Sequence, residues 1–168
     1  MKKTIISLFT IVMLVGLSNN LNAQNTATDA ADANATIISP ITIEAGPALS
    51  FGDIIAGAGT VTIATDGTRT TDYQAFSGDQ TGTVAAASFN ITGQGAYTYA
   101  ITLPTSDVTL NDGGSGEMVV NNFVSNPAGT GALVNGASTV FVGATLNVTA
   151  GQTTGVYAGS FDVTVAYN

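Results

Sequence analysis

The sequence predicts an all-β fold, an antiparallel β-sandwich formed by a single domain. Runs of β-branched and aromatic residues are separated by clusters of Gly, Asn, Asp and Pro, a pattern typical of sandwiches and barrels. Several runs alternate apolar with polar residues, as half-buried strands do. No run after residue 23 shows the apolar period of an amphipathic helix. Together these three observations favour sheets throughout the domain.

Residues 1–23 have the features of an export signal. Lys2 and Lys3 precede the apolar run 5–17, and the small residues before Gln24 form a suitable cleavage site. We therefore expect the protein to be exported, first to the periplasm and then to the cell surface or the medium. Removal of the signal would leave all 11 acidic residues and a single base, Arg69.

The composition excludes several classes of function. The chain contains no His and no Cys, so the usual ligands of zinc and copper and the usual groups of nucleophilic catalysis are missing. With one base after the signal, it also lacks the basic surface that binds nucleic acid or anionic lipid. No later apolar run approaches the ~20 residues of a transmembrane helix. We expect neither enzymatic activity nor a cofactor.

The ordered domain is expected to span residues 37–168. Residues 24–36 carry only small or polar side chains, which bury too little apolar surface to order a chain, and so predict a flexible arm. Ile37, Ile41 and Ile43 then fall on one face of an extended segment, interrupted by Pro40, which cannot donate a ladder hydrogen bond. This segment predicts an edge strand or a strand exchanged with another copy.

Eight further runs predict strands, which makes nine in all: 49–55, 60–65, 84–92, 97–103, 108–110, 117–124, 139–149 and 156–167. The turns at 93–95 and 111–114 predict hairpin connections. Phe141, on the nominally outer face of its strand, predicts a bulge near Gly143. The polar stretch 66–83 predicts a surface loop.

Alternation assigns the buried face in two of these strands. We expect the two sets of side chains to meet in one core. The sets are Tyr97, Tyr99, Ile101 and Leu103 in one strand, and Phe161, Val163, Val165 and Tyr167 in the other.

Asp107, Asp112 and Glu117 form the one local cluster of acids. Two carboxylates can hydrolyse a glycoside, but no Trp is present to stack a sugar, so solvated turn acids are the favoured interpretation. The oxygen atoms and glycines of residues 107–117 also suit Ca²⁺, although their spacing differs from the twelve-residue calcium loop. We assign no metal site, and weak calcium binding remains an open alternative.

The C-terminal run alternates strongly and reaches the last residue of the sequence. A sandwich that ends on a core strand leaves ladder groups and apolar surface uncovered unless another segment fills the gap. The isoleucine-rich segment at 37–43 can fill that gap in a neighbouring copy. Alternatively, it is the first strand of its own sandwich, and the sequence alone leaves both arrangements open.

Six short segments occur in a specific order and spacing: S-P-I-T-I at 39–43, L-S-F-G at 49–52, G-T-V-T-I at 59–63, A-S-F-N-I-T-G at 87–93, V-G-A-T-L-N-V at 142–148 and G-V-Y-A-G-S-F-D-V-T-V-A-Y-N at 155–168. In this order they resemble the secreted bacterial domain-of-unknown-function family 4402 over essentially the whole mature chain. More loosely, the closing segment is similar to the last strand of chaperone-usher pilin subunits.

The pilin resemblance implies an incomplete immunoglobulin-like sandwich that a periplasmic chaperone holds and an outer-membrane usher assembles. The next subunit would complete the sandwich with an N-terminal donor strand. By position, the donor residues would be Ile37, Ile41 and Ile43. The strand bordering the groove would carry Phe161, Val163, Val165 and Tyr167. The missing disulfide pair and Pro40 depart from the pilin pattern.

We therefore expect a non-catalytic structural protein, a fimbrial or pilus-like subunit that associates with like subunits. A single domain favours a shaft position over a tip position. The alternative is a self-contained secreted module that binds a glycan or a protein through its loops, with Tyr73 and Phe76 as candidate contacts. Pairing of residues 24–43 within their own chain favours the module, and pairing with a neighbour favours the fibre subunit.

Overall fold

A computed structural model describes residues 26–72 and 82–168. The proposed signal at 1–23 and the candidate contacts Tyr73 and Phe76 lie outside these residues. Every regular element in the described part is a β-strand and every pairing is antiparallel, so the predicted all-β sandwich is confirmed. The strands are β1 (Thr42–Ala45), β2 (Ser50–Phe51), β3 (Gly59–Ile63), β4 (Arg69–Thr71), β5 (Val84–Ala85), β6 (Ala87–Thr92), β7 (Thr98–Thr102), β8 (Val108–Asn111), β9 (Glu117–Asn126), β10 (Thr130–Ala132), β11 (Ala137–Val148) and β12 (Thr164–Tyr167).

The larger sheet is built around β11, a strand of 12 residues. β6 and β3 follow one another along one edge of β11, and β9 runs along the other edge. β1 pairs with β6, β4 with β3 and β8 with β9. This sheet therefore provides one complete layer of the sandwich.

The opposite layer is less complete. Three strands form a sheet in the order β10-β7-β12, and β2 and β5 form a separate two-stranded pair. Residues 37–168 make up one compact unit. Residues 26–36 are exposed and belong to no strand.

The core consists of two clusters, and β11 contributes to both because its inward residues alternate along its whole length. The β10-β7-β12 sheet packs over the second cluster, whereas β2, β5 and irregular segments border the first. The first core cluster contains Phe51, Val61, Ile63, Met118, Val120, Ala144, Leu146 and Val148. The second core cluster contains Ala87, Ile91, Tyr99, Ile101, Leu133, Val140 and Val142.

The bulge predicted near Gly143 is present. The register between β11 and β9 shifts between Gly143 and Thr145, which face Val124 and Asn121. The extra residue therefore lies in β9, where Asn122 adopts a positive φ of 51°. Gly143 is needed opposite it, because a Cβ there would overlap the carbonyl oxygen of Ile63 in β3.

One of the two predicted hairpins is correct. Residues 111–114 join β8 to β9, which pair directly. The hairpin predicted at 93–95 is wrong, because β6 and β7 belong to different sheets and the turn crosses between layers. Glycine-rich turns look alike in sequence whether the following strand returns beside the first or crosses to the other layer.

Several strand boundaries also differ from the prediction. β4 lies inside the stretch predicted to be loop, and β10 was not predicted. The strand predicted at 49–55 is reduced to Ser50–Phe51, and the strand predicted at 156–167 forms one bridge, between Ala158 and Asn111, before continuous pairing begins at Thr164. Local alternation reports which face of a segment is apolar, but strand pairing also requires a neighbour.

The predicted buried faces agree with the structure in part. Tyr99 and Ile101 of β7 are buried, and Leu103 is half-buried beyond the end of that strand. Tyr97, which precedes β7, is 40% exposed, and its ring meets the Tyr167 ring edge to face at a centroid distance of 5.6 Å.

Candidate assembly site

The N-terminal strand pairs within its own chain. Thr42 to Ala45 of β1 align with Thr92 to Phe89 of β6, and the Thr42 and Thr92 hydroxyls are 2.6 Å apart. β1 is an edge strand, and all four of its residues are exposed. It is therefore attached by a short ladder along one edge, which is a weak form of pairing.

The structure places the three predicted donor isoleucines in different environments. Ile41 is half-buried and packs against the second core cluster. Ile43 aligns with the buried Ile91 and is 37% exposed. Ile37 is 98% exposed. The apolar face that the three isoleucines share therefore contacts the rest of the sandwich only after Pro40, where strand pairing starts.

A cluster of hydrogen bonds holds the chain just before Pro40. The Tyr167 hydroxyl donates to the Ser39 carbonyl oxygen at 3.0 Å and accepts from the Gln94 amide at 2.6 Å. The Ser39 amide in turn donates to the Gln94 side-chain oxygen at 3.3 Å. We call Ser39, Gln94 and Tyr167 the N-terminal clamp.

The C-terminal strand carries the predicted groove-bordering residues on its inner face. Phe161, Val163, Val165 and Tyr167 are half-buried against the second core cluster, while the residues between them are exposed. β12 pairs with β7 along one edge and is the outermost strand of its sheet. The Phe161 ring also contacts Phe123, with centroids 5.0 Å apart.

An open groove of about 790 Å³ lies over the first core cluster, between residues 49–56 and 152–161. It lies where regular pairing of the second layer is sparse, since β2 is two residues long and residues 156–163 form a single bridge, between Ala158 and Asn111, before β12 begins at Thr164. We call it the core groove. Its apolar lining includes Val108, Leu110, Met118, Phe123, Leu146 and Val148.

The polar residues at the rim of the core groove bond to one another. Gln152 donates through its side-chain nitrogen to the Glu117 carbonyl oxygen and to the Tyr157 hydroxyl, both at 2.9 Å. The Tyr157 hydroxyl donates to the Thr153 carbonyl oxygen at 2.7 Å. These polar groups at the rim are therefore already engaged within the chain.

The sequence pattern predicts a groove beside residues 161–167 but does not reveal the residues that form the floor of the core groove. Of the predicted bordering residues, Phe161 lines the core groove, whereas Val163, Val165 and Tyr167 pack against the second core cluster and do not line it. The floor combines the β8–β9 hairpin with β2 and β11, which are distant from it in sequence. The apolar residues of 108–110 and 118–120 were an available signal, since Val108, Leu110, Met118 and Val120 line the groove.

Arg69 supports one wall of the groove. Its buried guanidinium donates to the carbonyl oxygens of Phe51 at 2.9 Å and Asp53 at 3.2 Å. A charged donor on buried carbonyl groups makes a strong hydrogen bond. The single base after residue 23 therefore joins the larger sheet to residues 51–53 of the opposite layer.

Two carboxylates fix the β3–β4 hairpin rather than a ligand. The Thr68 amide donates to Asp66 at 2.8 Å, and this hydrogen bond lowers the pKa of Asp66. The Thr60 amide donates to Asp72 and lowers the pKa of that carboxyl group. Neither carboxylate lines the core groove.

Of the acids at 107–117, Asp112 fixes the β8–β9 turn. Asp112 accepts hydrogen bonds from the amides of Gly114 at 2.8 Å and Gly116 at 3.0 Å. Among the described residues, no three or more Asp, Glu, His or Cys side chains gather closely enough to hold a metal ion. In the same residues, no helix has the length and apolar character needed to span a bilayer.

Comparison with known proteins identifies the family. The model of the family described as Domain of unknown function (DUF4402) matches residues 41–167, a range that contains all twelve strands of the described residues. No curated protein and no solved structure matches the chain. The sandwich, its N-terminal clamp and its core groove are thus features of a chain that belongs to the DUF4402 family.

Proposed function

We propose that this protein is a non-catalytic, exported subunit of a cell-surface fibre, and that copies assemble when the N-terminal segment of one chain completes the sandwich of the next. The core groove carries the proposal, because the incomplete second layer leaves a groove above the first core cluster into which an added strand could fit. The partners would be like subunits, with a periplasmic chaperone and an outer-membrane usher acting during assembly.

The attachment of β1 supports exchange between copies. A strand of four exposed residues, paired along one edge, buries little surface in its own chain. When β1 of one copy takes the place of β1 on a neighbour, it makes the same contacts there. The exchange therefore changes the free energy little, apart from the entropy lost when two chains associate. The donor residues would be Ile37, Ile41 and Ile43, and the receiving strand would carry Phe161, Val163, Val165 and Tyr167.

A second candidate function is a self-contained secreted binding module. The observation that favours it is the pairing of β1 with β6 in the same chain, together with the N-terminal clamp. In such a module the ligand would bind through loops, with Tyr73 and Phe76 as the contacts to test. The two candidate functions differ in whether the residues before Glu44 pair with another copy of the protein or with their own chain.

Residue substitutions in this segment separate the two candidates. In the chain from residue 24 onward, Ile41→Ser with Ile43→Ser removes two inward side chains. The matched control, Thr42→Ser with Glu44→Gln, alters the two outward positions between and after them. Light scattering at increasing protein concentration measures the mass of each variant.

For a fibre subunit, we expect multimers with the original and control sequences and a monomer with the double Ile→Ser variant. The isoleucine variant should still show a β-sheet circular dichroism spectrum, which establishes that loss of mass is not loss of folding. Monomers of all three proteins at every concentration would contradict the proposal and favour the module.

A further inference from the structure

We propose that the larger sheet binds a neutral polysaccharide on its outer face, with the Phe141 ring as the surface on which one sugar ring stacks. By the outer face we mean the side of this sheet that turns away from both core clusters. Leu146 and Val148 of β11 line the core groove, whereas Phe141 and Asn147 of the same strand point the other way. The two surfaces lie on opposite sides of one sheet, so the inference does not depend on fibre assembly.

Phe141 is exposed at a place where the backbone is firmly held. It is 42% exposed, although it lies within β11, which is paired along both edges at this position. Its direct neighbours are Asn126 of β9 on one side and Ser88 of β6 on the other. In the part of the chain that the structure describes, no other aromatic ring stacks on it. The ring is therefore fixed in position and open to a ligand.

The side chains around the ring are uncharged hydrogen-bonding groups. Directly opposed residues on neighbouring strands have Cβ atoms about 5 Å apart, so Asn126 and Ser88 flank the Phe141 ring closely. Neither of these two side chains has a hydrogen-bond partner within residues 26–72 and 82–168. Asn90, in the next row, accepts a hydrogen bond from the Thr139 hydroxyl at 3.5 Å. Amides and hydroxyls both donate and accept, which suits the hydroxyl groups of a sugar.

The outer face also has a border beside the ring. A side chain at Gly143, two residues along β11 from Phe141, would meet the carbonyl oxygen of Ile63 and the backbone of Ala64. The end of β3 therefore occupies the space where that side chain would lie. Val124, opposite Gly143 on β9, is 51% exposed. A sugar on the Phe141 ring would thus have apolar contacts with Val124 and a main-chain edge next to it.

Charge decides which class of polymer fits. Among the described residues in the rows around Phe141, the one charged group is Glu44, on the edge strand β1. Arg69, the only base after residue 23, donates to carbonyl groups of the opposite layer. An anionic polymer would find no cation on this face. A neutral sugar can place its partly positive C–H groups on the negative face of the phenyl ring.

A second copy of the chain suits this patch less well. The exposed parts of Phe141 and Val124 offer about 200 Å² of apolar surface, whereas each partner of a stable protein interface buries about 800 Å². Two strongly acidic chains also repel each other. A neutral sugar needs only the ring and the hydrogen-bonding groups beside it. The patch therefore favours a sugar over another protein chain.

The binding test uses the chain from residue 24 onward and cellohexaose, a neutral chain of β-1,4-linked glucose rings. One stacked ring and a few hydrogen bonds predict a Kd of about 1 mM, within reach of an NMR titration. We expect shifts of the Phe141 ring protons and the Asn126 side-chain amide. A β-1,4-linked hexamer of glucuronic acid, with a carboxylate on each ring, should bind about tenfold more weakly or not at all.

Substitutions at the ring locate the site. Phe141→Ala should weaken cellohexaose binding by about tenfold, while Phe141→Tyr, which keeps the ring, should change it by no more than about twofold. Tyr97→Ala is the matched control, because Tyr97 carries a ring that is 40% exposed in another part of the molecule. It should leave binding unchanged. Circular dichroism checks that each variant keeps the β-sheet spectrum.

Two results would overturn the inference. The first is the absence of shifts with cellohexaose, xylohexaose and β-1,4-mannohexaose at about 10 mM, ten times the expected Kd. The second is binding that survives Phe141→Ala, or that Phe141→Ala and Tyr97→Ala weaken equally, since the sugar would then lie elsewhere, as on the loops of the binding-module candidate.

The outcomes are separate from those of the proposed function. A monomer that binds cellohexaose through Phe141 supports this inference and contradicts the fibre subunit. Multimers that give no shift with any of the three sugars support the fibre subunit and contradict this inference. If both hold, a weak site repeated on every subunit of a fibre would bind a polysaccharide through many contacts at once.

Discussion

Tyr167 joins three segments that are far apart in the sequence. Its hydroxyl forms hydrogen bonds with Ser39 and Gln94, and its ring meets the Tyr97 ring edge to face. Sequence analysis assigned Tyr167 to an inner face from alternation, and the structure adds that its hydroxyl fixes the N-terminal segment. That role was not predictable, because a side chain's polar partners depend on which strands become neighbours.

The first prediction concerns this hydroxyl. Tyr167→Phe keeps the ring and removes one donor and one acceptor, which leaves the Gln94 amide without its partner. We expect the free energy of unfolding to fall by about 1–2 kcal/mol, measured by urea denaturation. In the control Tyr97→Phe, on the partly exposed neighbouring ring, the change should stay within about 0.5 kcal/mol. Equal losses in the two variants would show that the Tyr167 hydroxyl in the clamp contributes no more to stability than the Tyr97 hydroxyl outside it.

Among the elements, β11 determines the architecture and was also the easiest to predict. Inward apolar residues alternate with outward ones along its twelve residues, a longer alternation than helices or loops usually show. Its inward valines and leucine contact both core clusters. Short strands such as β4 and β10 were missed because three residues carry too little pattern. They form because a longer neighbour, β3 or β7, offers an unpaired edge.

The bulge opposite Gly143 gives a prediction at the scale of elements. Gly143→Ala places a Cβ against the Ile63 carbonyl oxygen and forces β11 away from β3. We expect a loss of about 1–3 kcal/mol in the free energy of unfolding, since backbone groups cannot move aside as side chains do. Gly95→Ala is the control, because the nearest atom to its added Cβ is 3.5 Å away. A loss below about 0.5 kcal/mol at Gly143 would show that the sheet has more room than this geometry allows.

At the scale of the whole molecule, the sandwich has one complete layer and one incomplete layer. Composition and alternation were enough to predict the class of fold, because they report how much of each strand is buried. They did not predict the core groove, because its floor combines Phe51, Leu110, Met118 and Leu146 from four separate strands. The same incomplete layer is what makes assembly with a second copy physically reasonable.

The central claim is that the N-terminal segment of one chain holds another chain. The most direct measurement is a denaturing gel of the chain from residue 24 onward, run on unheated and boiled samples, beside the same chain without residues 24–43. We predict a ladder of multimers that collapses on boiling and does not form after the deletion. A single monomer band in the unheated full-length sample, from protein that unfolds cooperatively, would contradict the claim.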